Sequence, residues 1–126
     1  MKDFSKIIIL SISIFFILSC SNNPMKNESR YEGVLNTTQN TRQLITNKCT
    51  VIVDEFGSIE IIIEGDNGYE GVTNISEEEL IQTSDNSYTA SKNGKRYSFV
   101  FNDGYMTLTI ENTDNTTSNG LLSKVN

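Results

Sequence analysis

Chemically reactive side chains are scarce in this sequence of 126 residues, and histidine is absent from it. The commonest general base and the usual nitrogen ligand of metals are therefore missing. A serine or cysteine triad with an imidazole base cannot be built either. The sequence also contains no glycine-rich phosphate loop and no dinucleotide-binding fingerprint. We therefore expect a protein that is not an enzyme and that holds no cofactor.

Carboxylates are more plentiful, but their spacing does not predict a metal site or a catalytic pair. Glu77, Glu78 and Glu79 are consecutive, and consecutive residues of a helix do not face one another. Two further groups, 66–68 and 102–104, combine Asp and Asn with Gly but lack the ligand spacing of a calcium loop. We expect the three glutamates to form a solvated turn, and we expect no bound metal.

Two cysteines remain as possible sites of chemistry, and their surroundings differ. Cys49 begins an apolar run, 49–53, which predicts a place on the core face of a strand. Apolar neighbours raise the pKa of a thiol and make it unreactive. A reactive nucleophile or an intermolecular disulfide is the alternative for Cys49. Cys20 instead ends an apolar run and is followed at once by a polar segment.

The N-terminus has the features of a targeting segment that ends near Cys20. Lys2 and Lys6 precede an uncharged run, 7–18, of Ile, Leu, Phe and Ser. A helix of that length spans about 18 Å, short of the roughly 30 Å of hydrocarbon in a bilayer. A signal peptide fits these dimensions better than a membrane-spanning helix does. A cytosolic helix would be apolar on all sides, which disfavours that alternative.

The four residues that end at Cys20, ILSC, resemble the lipobox of bacterial lipoproteins, in which a small residue precedes an obligatory cysteine. The resemblance implies that residues 1–19 are removed and that Cys20 carries acyl chains, such as palmitate, that anchor the protein to a membrane. It also implies a place in the bacterial cell envelope, at the outer membrane or cell surface, because Ser21 is not the Asp that retains such proteins at the inner membrane. An ordinary secretory signal is the alternative.

The part of the chain that follows the lipobox is acidic. Residues 20–30 are polar and contain the only proline, which predicts a flexible tether. Without residues 1–19 the chain has 15 acidic and 8 basic side chains, a formal net charge of −7. No basic stripe is left, so we expect no binding to nucleic acid. Besides the membrane, we expect an unidentified envelope or extracellular partner.

From residue 31 onward, alternating apolar residues separated by turn residues predict antiparallel strands. The clearest hairpin turns at Asp103-Gly104, where a type I′ turn needs positive φ at both residues. Pairing outward from this turn and from Asn93-Gly94 gives a single apolar inner face. The expected pairs are Phe101 with Met106, Phe99 with Leu108, Tyr97 with Ile110, Ala90 with Tyr97, and Tyr88 with Phe99.

A second hairpin is predicted upstream, with a three-residue loop that has Gly57 in the left-handed conformation. This loop sets Val53 opposite Ile59, Val51 opposite Ile61 and Cys49 opposite Ile63, whereas a two-residue loop would mix the two faces. Three further elements are expected: a turn at 66–68, one helical turn at 76–80 with capping-box spacing, and a closing strand at 120–126.

These segments make seven or eight strands joined by hairpin-length links in residues 31–126. A lone sheet would leave one apolar face in water, and the sequence has no helix long enough to cover it. The predicted fold class is therefore all-β: an antiparallel up-and-down meander that closes as a small β-barrel, after an N-terminal signal helix and the tether. The pattern looks like the lipocalin-type (calycin) architecture.

The predicted inner face carries an aromatic cluster that is either a ligand pocket or a filled core. An eight-stranded barrel is filled by side chains or holds one small ligand, and the short strands favour filling. We therefore expect a membrane-tethered envelope lipoprotein with a non-catalytic β-barrel interaction module. The alternative is a lipocalin-like carrier or scavenger of a small apolar or aromatic ligand. Its pocket would be lined by Tyr88, Tyr97, Phe99, Phe101 and Met106.

Overall fold

A computed structural model of the chain describes residues 28–40, 42–65 and 70–125. The expected signal peptide, Cys20, most of the tether and the turn at 66–68 lie outside these residues. The described part contains no helix that is long and apolar enough to cross a bilayer. It consists of nine strands: β1 (Ser29–Gln39), β2 (Arg42–Val53), β3 (Ile59–Glu64), β4 (Glu70–Ile75), β5 (Ile81–Ser84), β6 (Ser87–Lys92), β7 (Lys95–Asn102), β8 (Tyr105–Glu111) and β9 (Thr117–Val125).

The strands form one antiparallel sheet in the order β4-β3-β2-β1-β9-β8-β7-β6-β5. The prediction of an all-β antiparallel meander is thus confirmed, and the sheet curls into a half-barrel. Strand β1 joins the two halves because it pairs with β2 on one side and with β9 on the other. The expected closing strand is β9. Strands β4 and β5 are the two edges of the sheet, and no ladder joins them within the described residues.

The expected count of seven or eight strands is wrong, because the sheet has nine. The additional strand is β5, whose four residues are all exposed and therefore show no apolar alternation. Strand β2 is also longer than the apolar run that starts at Cys49, since it begins at Arg42. Both differences arise where backbone pairing continues without burial of side chains.

The predicted registers are confirmed in three hairpins. Strands β7 and β8 pair Phe101 with Met106, Phe99 with Leu108 and Tyr97 with Ile110. Strands β6 and β7 pair Ala90 with Tyr97 and Tyr88 with Phe99. Strands β2 and β3 pair Val53 with Ile59, Val51 with Ile61 and Cys49 with Ile63.

The turns that set these registers differ in type. Asn93 and Gly94 both have positive φ, of 55° and 80°, as a type I′ turn requires. At the β7–β8 turn the type I′ expectation is wrong: Gly104 has a φ of 83°, but Asp103 is not among the described residues with positive φ. The register survives because the length of the loop, rather than the turn type alone, fixes which residues face each other.

The loop between β2 and β3 has the predicted three-residue form. The Asp54 N–H donates to the Ser58 carbonyl oxygen at 2.9 Å, which closes the loop, and Gly57 has a φ of 89°. The Asp54 carboxylate accepts hydrogen bonds from the backbone N–H groups of Phe56 and Ser58, both at 2.9 Å. This side chain therefore satisfies donors that the tight loop would otherwise leave unpaired.

One 3-10 turn, Glu77–Glu79, connects β4 to β5, as the capping-box spacing predicted. The backbone N–H and the hydroxyl of Ser76 both donate to Glu79 Oε1, at 2.9 and 3.1 Å. Lys92 Nζ on β6 contacts the same carboxylate at 3.0 and 3.2 Å. The connection between the two edge strands is therefore tied to β6 by an ion pair.

Two glycines allow β1 and β9 to approach closely. A Cβ atom at Gly33 would lie 2.7 Å from the Leu121 carbonyl oxygen, and one at Gly120 would lie 2.6 Å from the Val34 carbonyl oxygen. Both distances are shorter than any van der Waals contact, so a larger residue would push the strands apart. The apolar core lies on the inner face on both sides of this seam, and its largest fully buried members are Phe99, Leu35, Ile59, Ile61, Ile75, Met106, Leu108 and Leu122.

Candidate functional site

The five residues expected to line a pocket are brought together on the inner face, and all of them are buried. The rings of Tyr88 and Phe101 lie 5.9 Å apart in an edge-to-face arrangement, and those of Tyr97 and Phe99 are stacked at 6.5 Å. Tyr31 on β1 adds a further ring 5.8 Å from Phe101. Phe99 and Met106 have no exposed surface. These side chains therefore pack against one another in the centre of the half-barrel.

Cys49 is a buried free thiol on the same inner face, opposite Ile63. Burial raises the pKa of this thiol to about 12. Since the thiolate is the reactive form of cysteine, the group is neutral and unreactive at neutral pH. This placement confirms the interpretation of Cys49 as a small core residue.

A cleft of about 420 Å³ opens where β3 and β4 face β7 and the β8–β9 turn, and we call it the mouth cleft. Its apolar lining includes Ile63, Ile110 and Tyr97, the one member of the predicted aromatic set that reaches it. Lys95 and Asp114 add one charge of each sign. The cleft therefore joins the edge of the core to a polar rim.

One wall of the mouth cleft is a chain of hydrogen bonds between short polar side chains. Asn112 Nδ2 donates to Thr116 Oγ1 at 3.0 Å and to Ser118 Oγ at 3.1 Å. The Ser118 hydroxyl in turn lies 2.7 Å from the Thr37 hydroxyl. The hydroxyl and backbone N–H of Thr116 both donate to the Asp114 carboxylate and hold its pKa below the ordinary value. These contacts fix the positions of the polar groups before any ligand arrives.

Sequence reasoning did not identify this wall. Thr37 and Ser118 are 81 positions apart, so no local pattern pairs them. A local signal does exist for the turn itself. Asp114 followed two positions later by Thr116 is the pattern of an Asx turn, and Asn115 between them has a φ of 66°.

A second cleft, of about 670 Å³, lies beside the β2–β3 loop and the 3-10 turn, and we call it the corner cleft. Ile52, Ile59 and Ile75 form its apolar part. Its charged lining is acidic, apart from one lysine that is paired with a glutamate. The charged residues are Asp54, Glu60, Glu78, Glu79 and Lys92.

Two carboxylates of the corner cleft, those of Asp54 and Glu79, accept hydrogen bonds from groups of the protein itself. The Ser76 backbone N–H, followed by the Lys92 ammonium, lowers the pKa of Glu79. The Asp54 carboxylate accepts the two N–H groups of its own loop. In the described residues no group of three or more Cys, Asp or Glu side chains is arranged to hold a metal ion. The described lining of the corner cleft is therefore mainly acidic.

No protein-family model matches this chain, and no curated protein or solved structure matches it either.

Proposed function

We propose that this chain is a membrane-tethered lipoprotein of the bacterial envelope whose β-domain is a non-catalytic interaction module. The packed interior of the half-barrel is the observation that supports an interaction module. Because the aromatic side chains of the inner face contact one another, recognition of a partner falls to the outer surface and its clefts. The lipobox-like residues up to Cys20 support the first half.

The lipid anchor is tested by labelling the full chain in a bacterial host with an alkyne-bearing fatty acid. We expect the wild-type chain and the Cys49→Ala variant to carry the label, and the Cys20→Ala variant to lose it. Cys49→Ala is the matched control because it removes the other thiol of the chain. Label that persists in Cys20→Ala, or that is absent from the wild type, would reject the anchor.

The interaction module is tested with two sets of variants of the full chain, used to retain components of an envelope extract. Glu60→Lys, on the face of β3 opposite the core, and Glu78→Lys, at an exposed position of the 3-10 turn, reverse two charges of the corner cleft, whereas Thr73→Trp fills the mouth cleft. An interaction through the outer surface predicts that the two charge reversals lower retention and that Thr73→Trp leaves it unchanged. The opposite pattern would indicate that the partner binds at the mouth cleft.

A lipocalin-like carrier of a small apolar or aromatic ligand is the second candidate, and the mouth cleft favours it. The cleft combines Ile63, Ile110 and Tyr97 with oriented hydroxyl groups, the mixture of surfaces by which small ligands are usually held. Native mass spectrometry of the purified full chain should then show a bound small molecule that Thr73→Trp displaces. Thr107→Trp, on the outer face of β8, is the control. A spectrum without bound mass in the wild type would remove this candidate.

A further inference from the structure

One hairpin turn of the sheet carries a large apolar side chain that the turn itself does not need. Phe56 is 72% exposed in the loop between β2 and β3. The residues of the other described hairpin turns are all Asn, Asp, Gly or Thr. Those types are common in turns because they accept positive φ or form hydrogen bonds with the nearby backbone. Phenylalanine does neither, so the turn does not explain Phe56.

The β2–β3 loop is held in shape without the ring of Phe56. Gly57 supplies the positive φ, and its N–H donates to the Asp54 carbonyl oxygen at 3.1 Å. The Asp54 carboxylate accepts the backbone N–H of Phe56 and that of Ser58, both at 2.9 Å. The loop therefore presents an aromatic ring to solvent at a fixed position. Burial of such a ring against another apolar surface is favourable, and a loop that is already ordered loses little entropy in the contact.

The β2–β3 loop lies at the end of the sheet where the chain leads toward Cys20. Ser29 at the start of β1 pairs with Val53, the last residue of β2. Cys20 and Ser29 are nine positions apart, so the chain between them spans no more than about 32 Å. The 11 residues of β1 place the opposite end of the sheet roughly 35 Å farther along the strand. A lipid on Cys20 therefore keeps the loop end of the domain closest to the membrane.

The charges at this end of the sheet indicate which membrane surface the loop can approach. Three exposed carboxylates lie in its described hairpin turns: Glu55, Asp85 and Asp103. Lys124 is an exposed basic side chain there, and the guanidinium of Arg30 is already paired with Glu32 at 2.9 Å. A surface of anionic headgroups would repel the excess of carboxylates, whereas zwitterionic headgroups carry no net charge. The chemistry of this end therefore fits a zwitterionic surface.

We infer that the ring of Phe56 inserts between zwitterionic headgroups of the membrane that holds the lipid on Cys20. This inference rests on the proposed lipid anchor and adds which part of the domain touches the membrane. Insertion of one aromatic ring supplements the acyl chains rather than replacing them. The contact also fixes the orientation of the domain. The corner cleft, which borders the same loop, lies beside the membrane, and the mouth cleft opens at the opposite end.

Tryptophan is absent from the chain, so a single tryptophan reports the surroundings of one position. Full-length lipidated Phe56→Trp is reconstituted in phosphatidylcholine vesicles with brominated acyl chains, which quench a tryptophan that reaches them. Leu121→Trp is the control, since this side chain is 64% exposed on the face of β9 opposite the core. We expect blue-shifted emission and several-fold stronger quenching for Phe56→Trp. Equal quenching at the two positions would overturn the inference and leave the anchor intact.

Two further arms separate the loop from the anchor and from the surface charge. A wild-type chain that binds these vesicles no better than Cys20→Ala would remove the anchor, and the inference with it. Replacing part of the phosphatidylcholine with phosphatidylglycerol makes the surface anionic, and we expect the quenching of Phe56→Trp to fall. Quenching that rises with phosphatidylglycerol would contradict the zwitterionic surface.

Hydrogen exchange tests the contact without a tryptophan. Phe56→Ser removes the ring and keeps the backbone donor that the Asp54 carboxylate accepts. On phosphatidylcholine vesicles we expect the amides of residues 55–58 to exchange several-fold faster in this variant than in the wild type, while those of the turn at 112–116 stay unchanged. In the Cys20→Ala background without vesicles, the same substitution should leave the loop unchanged. An equal acceleration there, or none on vesicles, would contradict insertion.

Discussion

Cys49 shows at the scale of one residue how burial decides chemical behaviour. It lies opposite Ile63 without exposed surface, and burial raises the pKa of its thiol from 9.0 to about 12. Between these two values the unfolded chain releases a proton that the folded chain keeps. The neutral buried thiol therefore stabilises the fold fully below about pH 9, and this contribution is lost as the pH rises toward 12.

We expect the free energy of unfolding to fall less steeply above pH 9 in Cys49→Ala than in the parent chain. Both chains carry Cys20→Ala, so that Cys49 is the only thiol compared. Urea unfolding at pH 8, 9 and 10 gives the two slopes. Tyr31, whose pKa burial also raises, contributes equally to both chains and cancels in the comparison. Parallel slopes would show that the thiol ionises as readily in the folded chain as in the unfolded one.

Phe99 is the residue on which the packed interior depends most directly. It is fully buried on β7, stacks on Tyr97 and pairs with Leu108 across the ladder. Phe99→Ala should destabilise the domain by about 3–5 kcal/mol, the cost of deleting a large core side chain. Val100→Ala, on the opposite face of the same strand, should cost less than about 1 kcal/mol. Similar urea midpoints for the two variants would mean that the centre of the half-barrel is loosely packed.

At the scale of the element, the hairpins could be predicted from the sequence because their information is local. A turn of known length and an alternating pattern set Phe101 opposite Met106 and Val53 opposite Ile59. Strand β5 and residues 42–47 of β2 could not be predicted, since neither segment buries the side chains that create such a pattern. The polar wall of the mouth cleft also escaped prediction, because the contact between Thr37 and Ser118 depends on the distant pairing of β1 with β9.

The seam between β1 and β9 gives a prediction about how the two halves of the sheet are joined. A Cβ atom at position 120 would lie 2.6 Å from the Val34 carbonyl oxygen, so Gly120→Ala must push the strands apart. We expect a loss of about 1–3 kcal/mol of stability from this overpacking. Ser123→Ala, at an exposed position of β9, is the matched control. An unchanged urea midpoint for Gly120→Ala would mean that the seam moves without cost.

For the whole molecule, one ion pair connects the edge of the half-barrel with the shape of its surface. The core extends across both halves of the sheet; within the described residues no ladder joins the two edge strands, and segment 76–80 connects them along the chain. The ion pair between Glu79 and Lys92 ties this segment to β6. Because the pair also lines the corner cleft, the shape of that cleft depends on the same contact that holds the edge of the sheet.

Breaking this ion pair should therefore loosen one edge of the molecule and leave the core intact. Lys92→Met keeps most of the aliphatic side chain but removes the ammonium, and a partly exposed ion pair contributes only modestly to stability. Amide hydrogens of segment 76–80 and of β5 should then exchange about two- to fivefold faster, while those of β8 stay unchanged. Lys95→Met, on the other side of the β6–β7 turn, should leave the exchange rates of all these amides unchanged. Faster exchange in every strand would show instead that the edge and the core unfold as one unit, and that the corner cleft cannot change shape on its own.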